Sequence, residues 1–264
     1  MRCLLAIDQS TSGTKALLFD LAGRVLDSES INHEQHYPQP GWVEHDADQI
    51  WRNLCQATGN LLQRNADRAR AIQGVAITNQ RETVVVFDRR SGRPLCPAIV
   101  WQCRRSDSIC KELRLAGRES LIQEKTGLKL DAYFSASKIT WLVRQRPGLV
   151  KQLTRGGALI GTIDTYLIYR LTGGCVFATD HTNASRTLLF DLQRRDWDSR
   201  LCELFEVPPA SLPEIRESFA DFGETDIEGA LPQVVPIRGV MGDSQAALFA
   251  HRCYAPGETK ATFG

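Results

Sequence analysis

The chain has 264 residues, 42% hydrophobic and 24% charged, which is enough apolar material for a packed core and excludes a disordered or collagen-like chain. Lys and Arg number 32 against 31 Asp and Glu, a net charge of +1, so there is no electrostatic excess to concentrate a polyanion and nucleic acid is not an expected partner. No stretch approaches the roughly 18 apolar residues of a membrane span, the start MRCLLAIDQS has no targeting pattern, and eight cysteines without a CxxC pair read as free thiols, so no membrane partner and a cytoplasmic location are expected.

Residues 3–7, 15–20 and 24–31 read as strands, separated by Gln9-Ser10-Thr11-Ser12-Gly13 and Leu21-Ala22-Gly23, and the short connections predict an antiparallel meander. Asp46 reads as a helix cap, and Ile50, Trp51, Leu54, Ala57, Leu61 and Leu62 repeat at helical spacing up to about Asn65. Residues 72–78 and 84–88 are predicted strands around Asn79-Gln80-Arg81-Glu82, with another at 98–101, which makes the sheet mixed. Helices dominate 107–146, broken by Gly117, Gly127 and Pro147, and one begins at Ser135 with Ile139, Leu142 and Val143 on its apolar stripe. A strand at 158–161, a helix at 164–171 stopped by Gly173-Gly174, and a strand at 187–190 follow. Pro208, Pro209 and Pro213 mark irregular chain before a strand at 234–241, a helix at 244–251 and the start of a strand at 259–264. No linker or repeat divides the chain, so one α/β lobe with inserted helices is expected.

Four places carry residues suited to chemistry. Asp8 to Lys15 puts an acid, hydroxyls and Gly13 into one turn after an apolar strand. Its backbone N–H groups and hydroxyls suit phosphate, and Asp8 suits a divalent cation, whereas a simple polar hairpin is the plainer alternative. No Gly-Lys-Ser/Thr occurs, so any phosphate site is not of the Walker type. Gly242-Asp243 places a carboxylate where a strand meets a helix, a ligand position in α/β sheets and equally an ordinary cap. Arg81-Glu82 supplies a donor and an acceptor for one hydroxyl, or a solvated turn. Trp101 and Tyr133 supply apolar walls with polar handles, or plain core; His33-Glu34-Gln35-His36 lacks the helical context of a metal motif.

Asp8-Gln-Ser-Thr-Ser12, Pro40-Gly-Trp-Val-Glu-His-Asp46, Ile77-Thr-Asn-Gln-Arg-Glu-Thr83, Ala98-Ile-Val-Trp-Gln-Cys-Arg-Arg105, Tyr133-Phe-Ser135, the DHTNASRT stretch at 180–187 and Gly242-Asp243 occur in one order and spacing. Together they resemble the FGGY family of carbohydrate kinases over essentially the whole chain. The resemblance implies an actin-like or ribonuclease-H-like α/β lobe, ATP with Mg²⁺, and phosphoryl transfer to a small polyol, with glycerol as the first candidate. It implies Asp243 as general base, Asp8 as the acid organising Mg²⁺ through water, and Thr11, Ser12, Gly13 and Lys15 at the ATP phosphates, with Lys15 standing where Arg is frequent. It further implies Arg81, Glu82 and Tyr133 as hydrogen-bonding partners of the polyol, beside Asp243 and Ser244, with Trp101 as an aromatic wall.

Two positions depart from the family pattern. Members acting on glycerol typically read Gly-Asp-Gln-Gln where this chain reads Gly242-Asp243-Ser244-Gln245, which predicts a larger pocket. Gln245 lies about 100° further round a helix and is not expected to take over the lost contact. Ser10 replaces a usual Gly, which alters the turn if that position needs positive φ. The family's adenosine site lies mainly in a following lobe entered by a Gly-Thr-Gly loop, so residues 1–264 read as the N-terminal substrate-binding lobe, with the C-terminal nucleotide-binding lobe absent and little activity expected of the piece alone. Another short polyol or sugar as substrate, a non-catalytic ligand-sensing lobe, and an actin-like or chaperone ATPase are the alternatives, and a homo-oligomer is left open.

Overall fold

The computed structural model describes residues 2–261. It opens with the meander β1 (Cys3–Gln9), β2 (Gly13–Asp20) and β3 (Val25–Asn32), followed by β4 (Glu44–His45), α1 (Ala47–Arg64), α2 (Ala66–Ala69), β5 (Ile72–Asn79), β6 (Val84–Asp88) and β7 (Ala98–Ile99). The middle holds α3 (Asp107–Leu115), α4 (Glu119–Thr126), α5 (Ser135–Gln145), α6 (Pro147–Thr154), β8 (Ala158–Thr162), α7 (Ile163–Leu171), β9 (Ala178–Asp180) and α8 (His181–Ala184). It ends with β10 (Phe190–Asp191), β11 (Asp196–Trp197), α9 (Ser199–Leu204), β12 (Glu214–Arg216), β13 (Glu224–Thr225), β14 (Val235–Gly242) and α10 (Asp243–Ala250).

The larger sheet has the order β13-β14-β5-β1-β2-β3, with β1, β5 and β14 mutually parallel and the meander antiparallel, so it is mixed as expected. Period-two alternation sets its faces: Cys3, Leu5 and Ile7 point into the core at 0% exposure, while Leu4, Ala6 and Asp8 point to the other side. α1 lies over β2 and β3 and is capped by Asp46, whose carboxylate accepts from the Asp48 N–H at 2.9 Å. The second sheet runs β4-β7-β6-β8. Its strand β6 is apolar on both faces, Val85 and Phe87 joining the core of the larger sheet while Val84 and Val86 face the helices α3 and α5. α7, buried nearly all round, fills the space between the two sheets.

Several local expectations are corrected. The strand predicted at 98–101 stops at Ile99, because the Val100 N–H turns to the Val43 carbonyl and the Trp101 N–H to the Thr83 hydroxyl. The strand predicted at 187–190 shrinks to Phe190–Asp191: Leu188 has φ 65°, which no strand tolerates. Pro147 begins α6, where its fixed φ suits a first helical turn and its missing N–H costs nothing. α10 begins at Asp243, one residue early. Residues 259–261 form no strand, and the rest of that predicted segment lies outside the described residues.

Functionally, the parallel core matters most. β1, β5 and β14 end side by side at Gln9, Asn79 and Gly242, and the carboxyl ends of parallel strands are where α/β sheets place ligands.

Candidate active site

Each predicted site residue except Trp101 and Tyr133 lies on or just after one of these three parallel strands or on the facing strand β2. After β1, Ser10 closes the turn by donating its N–H and its hydroxyl to the Gly13 carbonyl, at 2.9 and 3.0 Å. Ser10 does not adopt positive φ, so the missing glycine strains nothing. Thr11 is held from two sides: its carbonyl contacts His33 Nε2 at 2.8 Å and its hydroxyl accepts from Trp101 Nε1 at 2.9 Å. This contact occupies His33. Ser12 is exposed at the tip of the turn. A Cβ on Gly13 would stand 2.9 Å from the Ile31 carbonyl oxygen, so the neighbouring strand β3 by itself requires glycine there. Lys15 faces Asp8 across the β1–β2 ladder.

Burial pushes the Asp8 carboxyl above the usual carboxylate range; Lys15 pulls it down and the negative charge of Asp243 pushes it up.

After β5 the chain crosses from the larger sheet to the smaller through Gln80 to Thr83. Gln80 is buried and fixes this crossing, with its amide NH₂ within 3.2 to 3.3 Å of Gln9, the Ser10 carbonyl and His45, and its oxygen accepting from the Thr83 hydroxyl at 2.9 Å. Arg81 and Glu82 then point apart. Arg81 spans the first turn of α10: Nε lies 2.8 Å from Asp243 Oδ1, Nη2 donates to Ser244 Oγ at 2.9 Å and Nη1 to Gln245 Oε1 at 3.0 Å. The contact with Asp243 is an ion pair without an aligned hydrogen bond. Each terminal nitrogen keeps one further N–H for a ligand. Arg81 thus bonds both Ser244 and Gln245, because the guanidinium is long enough to bridge two neighbouring helix positions.

Glu82 is 1% exposed with φ 60°, and its Oε1 accepts from Arg186 Nε at 2.6 Å. Burial raises its pKa, opposed by Arg81 and Arg186. It is an inward-facing buried acid, which excludes the solvated-turn alternative. Arg186 also lies over the Tyr133 ring, 5.7 Å from its centroid, and Tyr133 packs on Trp101 at 5.3 Å. Glu82, Arg186, Tyr133 and Trp101 thus form one chain of contacts, and Arg81, next to Glu82 in sequence, carries Asp243 and Ser244 on its own side.

A buried network beneath them was not legible. Asp180, 0% exposed, accepts from Asn183 Nδ2 at 2.8 Å, Thr182 Oγ1 at 2.7 Å and Ser218 Oγ at 2.7 Å. Thr182 Oγ1 in turn accepts the Gly242 N–H at 2.8 Å, and Asn183 pairs with Asn79, so the ends of β5 and β14 are tied together. Asp180 and Arg186 belong to the 180–187 segment that the sequence shares with the family pattern, and no role was read for either of them there. Gly242 is required by Arg81: an added Cβ would meet Arg81 Cδ at 2.5 Å. Gly242→Ala is expected to displace Arg81 and break its bonds to Ser244 and Gln245, which a crystal structure of the variant would show.

Residues 3–250 match the N-terminal domain of the FGGY family of carbohydrate kinases. The chain belongs to that family. Among curated relatives, glycerol kinase 1 of Thermotoga maritima is 47% identical over 261 residues, and glycerol kinase of Thermus brockianus is 49% identical over 264. The alignments take in 99% and 100% of this FGGY chain but 53% of each relative, so the chain spans about half the length of the curated relatives it matches. Among solved structures, Plasmodium falciparum glycerol kinase with ADP superposes with a TM-score of 0.95 at 38% identity, covering 100% of this chain and 53% of that one. A ligand-bound xylulose kinase from Lactobacillus acidophilus, at 21% identity and a TM-score of 0.86, covering 96% of this chain and 50% of that one, shares the fold.

Proposed function

We propose that residues 1–264 form the N-terminal, substrate-binding lobe of a cytoplasmic, ATP-dependent polyol kinase that converts glycerol to glycerol 3-phosphate. The observation that carries this reading is the 2.8 Å pairing of Arg81 with Asp243, which joins a hydroxyl binder to a proton acceptor beside buried Glu82. Glycerol would lie with its carbons against Trp101 and Tyr133, one hydroxyl between the free N–H groups of Arg81 and the carboxylate of Glu82, and the reacting hydroxyl at Asp243. The alcohol oxygen attacks the γ-phosphorus of ATP, the bond to the β–γ bridging oxygen breaks, ADP departs, and the alcohol proton passes to Asp243.

Thr11, Ser12, Gly13 and Lys15 form the side of the crevice suited to the ATP phosphates. Asp8, half-buried and under the field of Asp243, suits a divalent cation, whose charge would relieve the carboxylate pair. Mg²⁺ bound there through water would neutralise charge on the phosphates.

The nucleotide-binding half is read as the other part of a longer protein. A groove of about 660 Å³ behind α10, lined by Ala6, Ile77, Val240, Phe219 and Phe249, contains none of the polyol residues; its apolar walls suit protein packing rather than a polyol. Among the described residues no helix is long and apolar enough to cross a membrane, and no cysteine is in a disulfide.

Trp101 joins the two halves of the crevice, since its ring faces Tyr133 and its N–H holds Thr11. Trp101→Phe keeps the wall and loses the N–H, so the KM for ATP is expected to rise about three- to tenfold with the glycerol KM changed less, measured by varying each substrate in turn. A second substrate reading rests on Ser244, whose short side chain stands where the family pattern has a glutamine and whose hydroxyl is engaged by Arg81. A panel of three- to five-carbon polyols, assayed by ADP release with the full-length protein, separates them. Turnover is expected for glycerol; its absence beside strong turnover of a longer polyol would reject glycerol.

A further inference from the structure

Lys138 is the least exposed cation among the described residues. It is completely buried, yet no carboxylate bonds to it. It also lies in the opening turn of α5, where the helix dipole opposes positive charge, so both burial and position disfavour an ammonium there. Its Nζ instead meets the carbonyl oxygens of three consecutive residues, Ala132 at 2.5 Å, Tyr133 at 2.6 Å and Phe134 at 3.2 Å. An ammonium has three N–H groups, and all three are used. A lysine on a helix points back over the preceding turn, which aims Nζ at the segment leading into α5.

That segment carries Tyr133. Its other ties are few: the Tyr133 N–H donates to Asp131 Oδ1 at 2.8 Å, the Phe134 N–H reaches the Asp131 carbonyl at 3.3 Å, and Ser135 Oγ donates to the Glu82 carbonyl at 3.1 Å. Phe134, at the N-cap position, offers no side-chain cap. The lysine is therefore what fixes the carbonyls of 132–134, and with them the backbone from which the Tyr133 ring projects toward Trp101 and Arg186.

We propose that Lys138 is a positioning residue for the polyol: its buried ammonium gathers the 132–134 carbonyls and holds Tyr133 against the substrate pocket. Burial pushes the Lys138 amine down to about 7, with Cys103, Glu82, Cys110 and Asp131 pulling it up, and three carbonyl acceptors favour the charged form further. The proposal rests on the polyol reading of Tyr133 and extends it to a residue that touches no substrate.

In the full-length protein, Lys138→Met keeps the length of the side chain and removes the donors. The glycerol KM is expected to rise about tenfold or more while kcat stays within about threefold and the ATP KM is unchanged. Amide hydrogen exchange at Tyr133 and Phe134 should accelerate in the same variant. Leu142→Ala, a core truncation on the same helix, should lower the Tm while leaving both the glycerol KM and those two amides unaffected. If the Met variant fails to fold, Lys138→Arg serves instead, since a planar fork cannot meet three successive carbonyls from one point; a raised glycerol KM supports the proposal and an unchanged one overturns it. Accelerated exchange with a raised KM supports it; unchanged exchange, or accelerated exchange with an unchanged KM, overturns it. If the wild type does not turn over glycerol, the polyol reading fails, and exchange at Tyr133 and Phe134 still decides whether Lys138 holds this segment.

Discussion

Asp243→Asn in the full-length protein is expected to lower kcat by about 10² to 10⁴-fold while the glycerol KM stays within about threefold. Both protein contacts to this carboxylate fall on Oδ1, the Arg81 Nε at 2.8 Å and the Ser244 N–H at 2.6 Å, which leaves Oδ2 for the reacting hydroxyl. An asparagine of the same shape can keep its carbonyl oxygen toward Arg81 and Ser244. It then presents an NH₂ to the alcohol, which cannot take the proton. ADP release measured against glycerol concentration separates the two constants. A variant with the wild-type kcat would remove Asp243 from the chemistry.

Arg186→Met is the second large effect, and it acts on stability and substrate binding together. The Glu82 side chain is 2% exposed and Arg186 is its hydrogen-bonded cation, so removing the guanidinium leaves a buried charge compensated only by the fields of Arg81 and Lys138. Breaking a buried pair from one side costs about 3 to 5 kcal/mol. The pH dependence has a definite sign. The folded-state pKa of Glu82 is already raised by burial, and loss of Arg186 raises it further. A carboxyl whose folded pKa exceeds its unfolded value of about 4.3 contributes stability that is present below that value and lost as pH rises through the folded pKa. The stability gap between wild type and variant should therefore be small near pH 4 and full once the pH exceeds the variant's folded pKa. Chemical denaturation at several pH values measures this, and a gap independent of pH would show that Glu82 is not the group left exposed to the loss. Because the ionised carboxylate is the form that accepts a hydroxyl, the acid limb of glycerol binding should also move to higher pH.

The elements legible in the sequence were those set by local patterns. The strand at residues 3–7, the Asp46 cap and the stripe from Ile50 to Leu62 each depend on neighbours within one or two turns, and all formed, the strand running on to Gln9. The 187–190 strand was lost to a single left-handed residue, Leu188, which leaves no mark on hydrophobic patterning. At the site, the parallel ends of β1, β5 and β14 bring Asp8, Arg81 and Asp243 to one edge of the sheet. What the sequence hid were the long-range supports. Arg186 meets Glu82 from 104 positions away, and Arg81 reaches Gln245 from 164 positions away. A spacing argument fixes the direction of a side chain on its own helix but says nothing about how far a guanidinium from another element can reach. Lys138 was hidden for a related reason: a lysine on a helix reads as a solvated face until the fold closes over it.

A crystal structure of the full-length protein with glycerol, Mg²⁺ and ADP would place the substrate directly. Glycerol hydroxyls are expected within about 2.6 to 3.2 Å of Arg81, Glu82, Tyr133 and Asp243, with its carbons against Trp101. Glycerol bound elsewhere, or a pocket between Arg81 and Tyr133 still closed at saturating glycerol, would contradict the assignment.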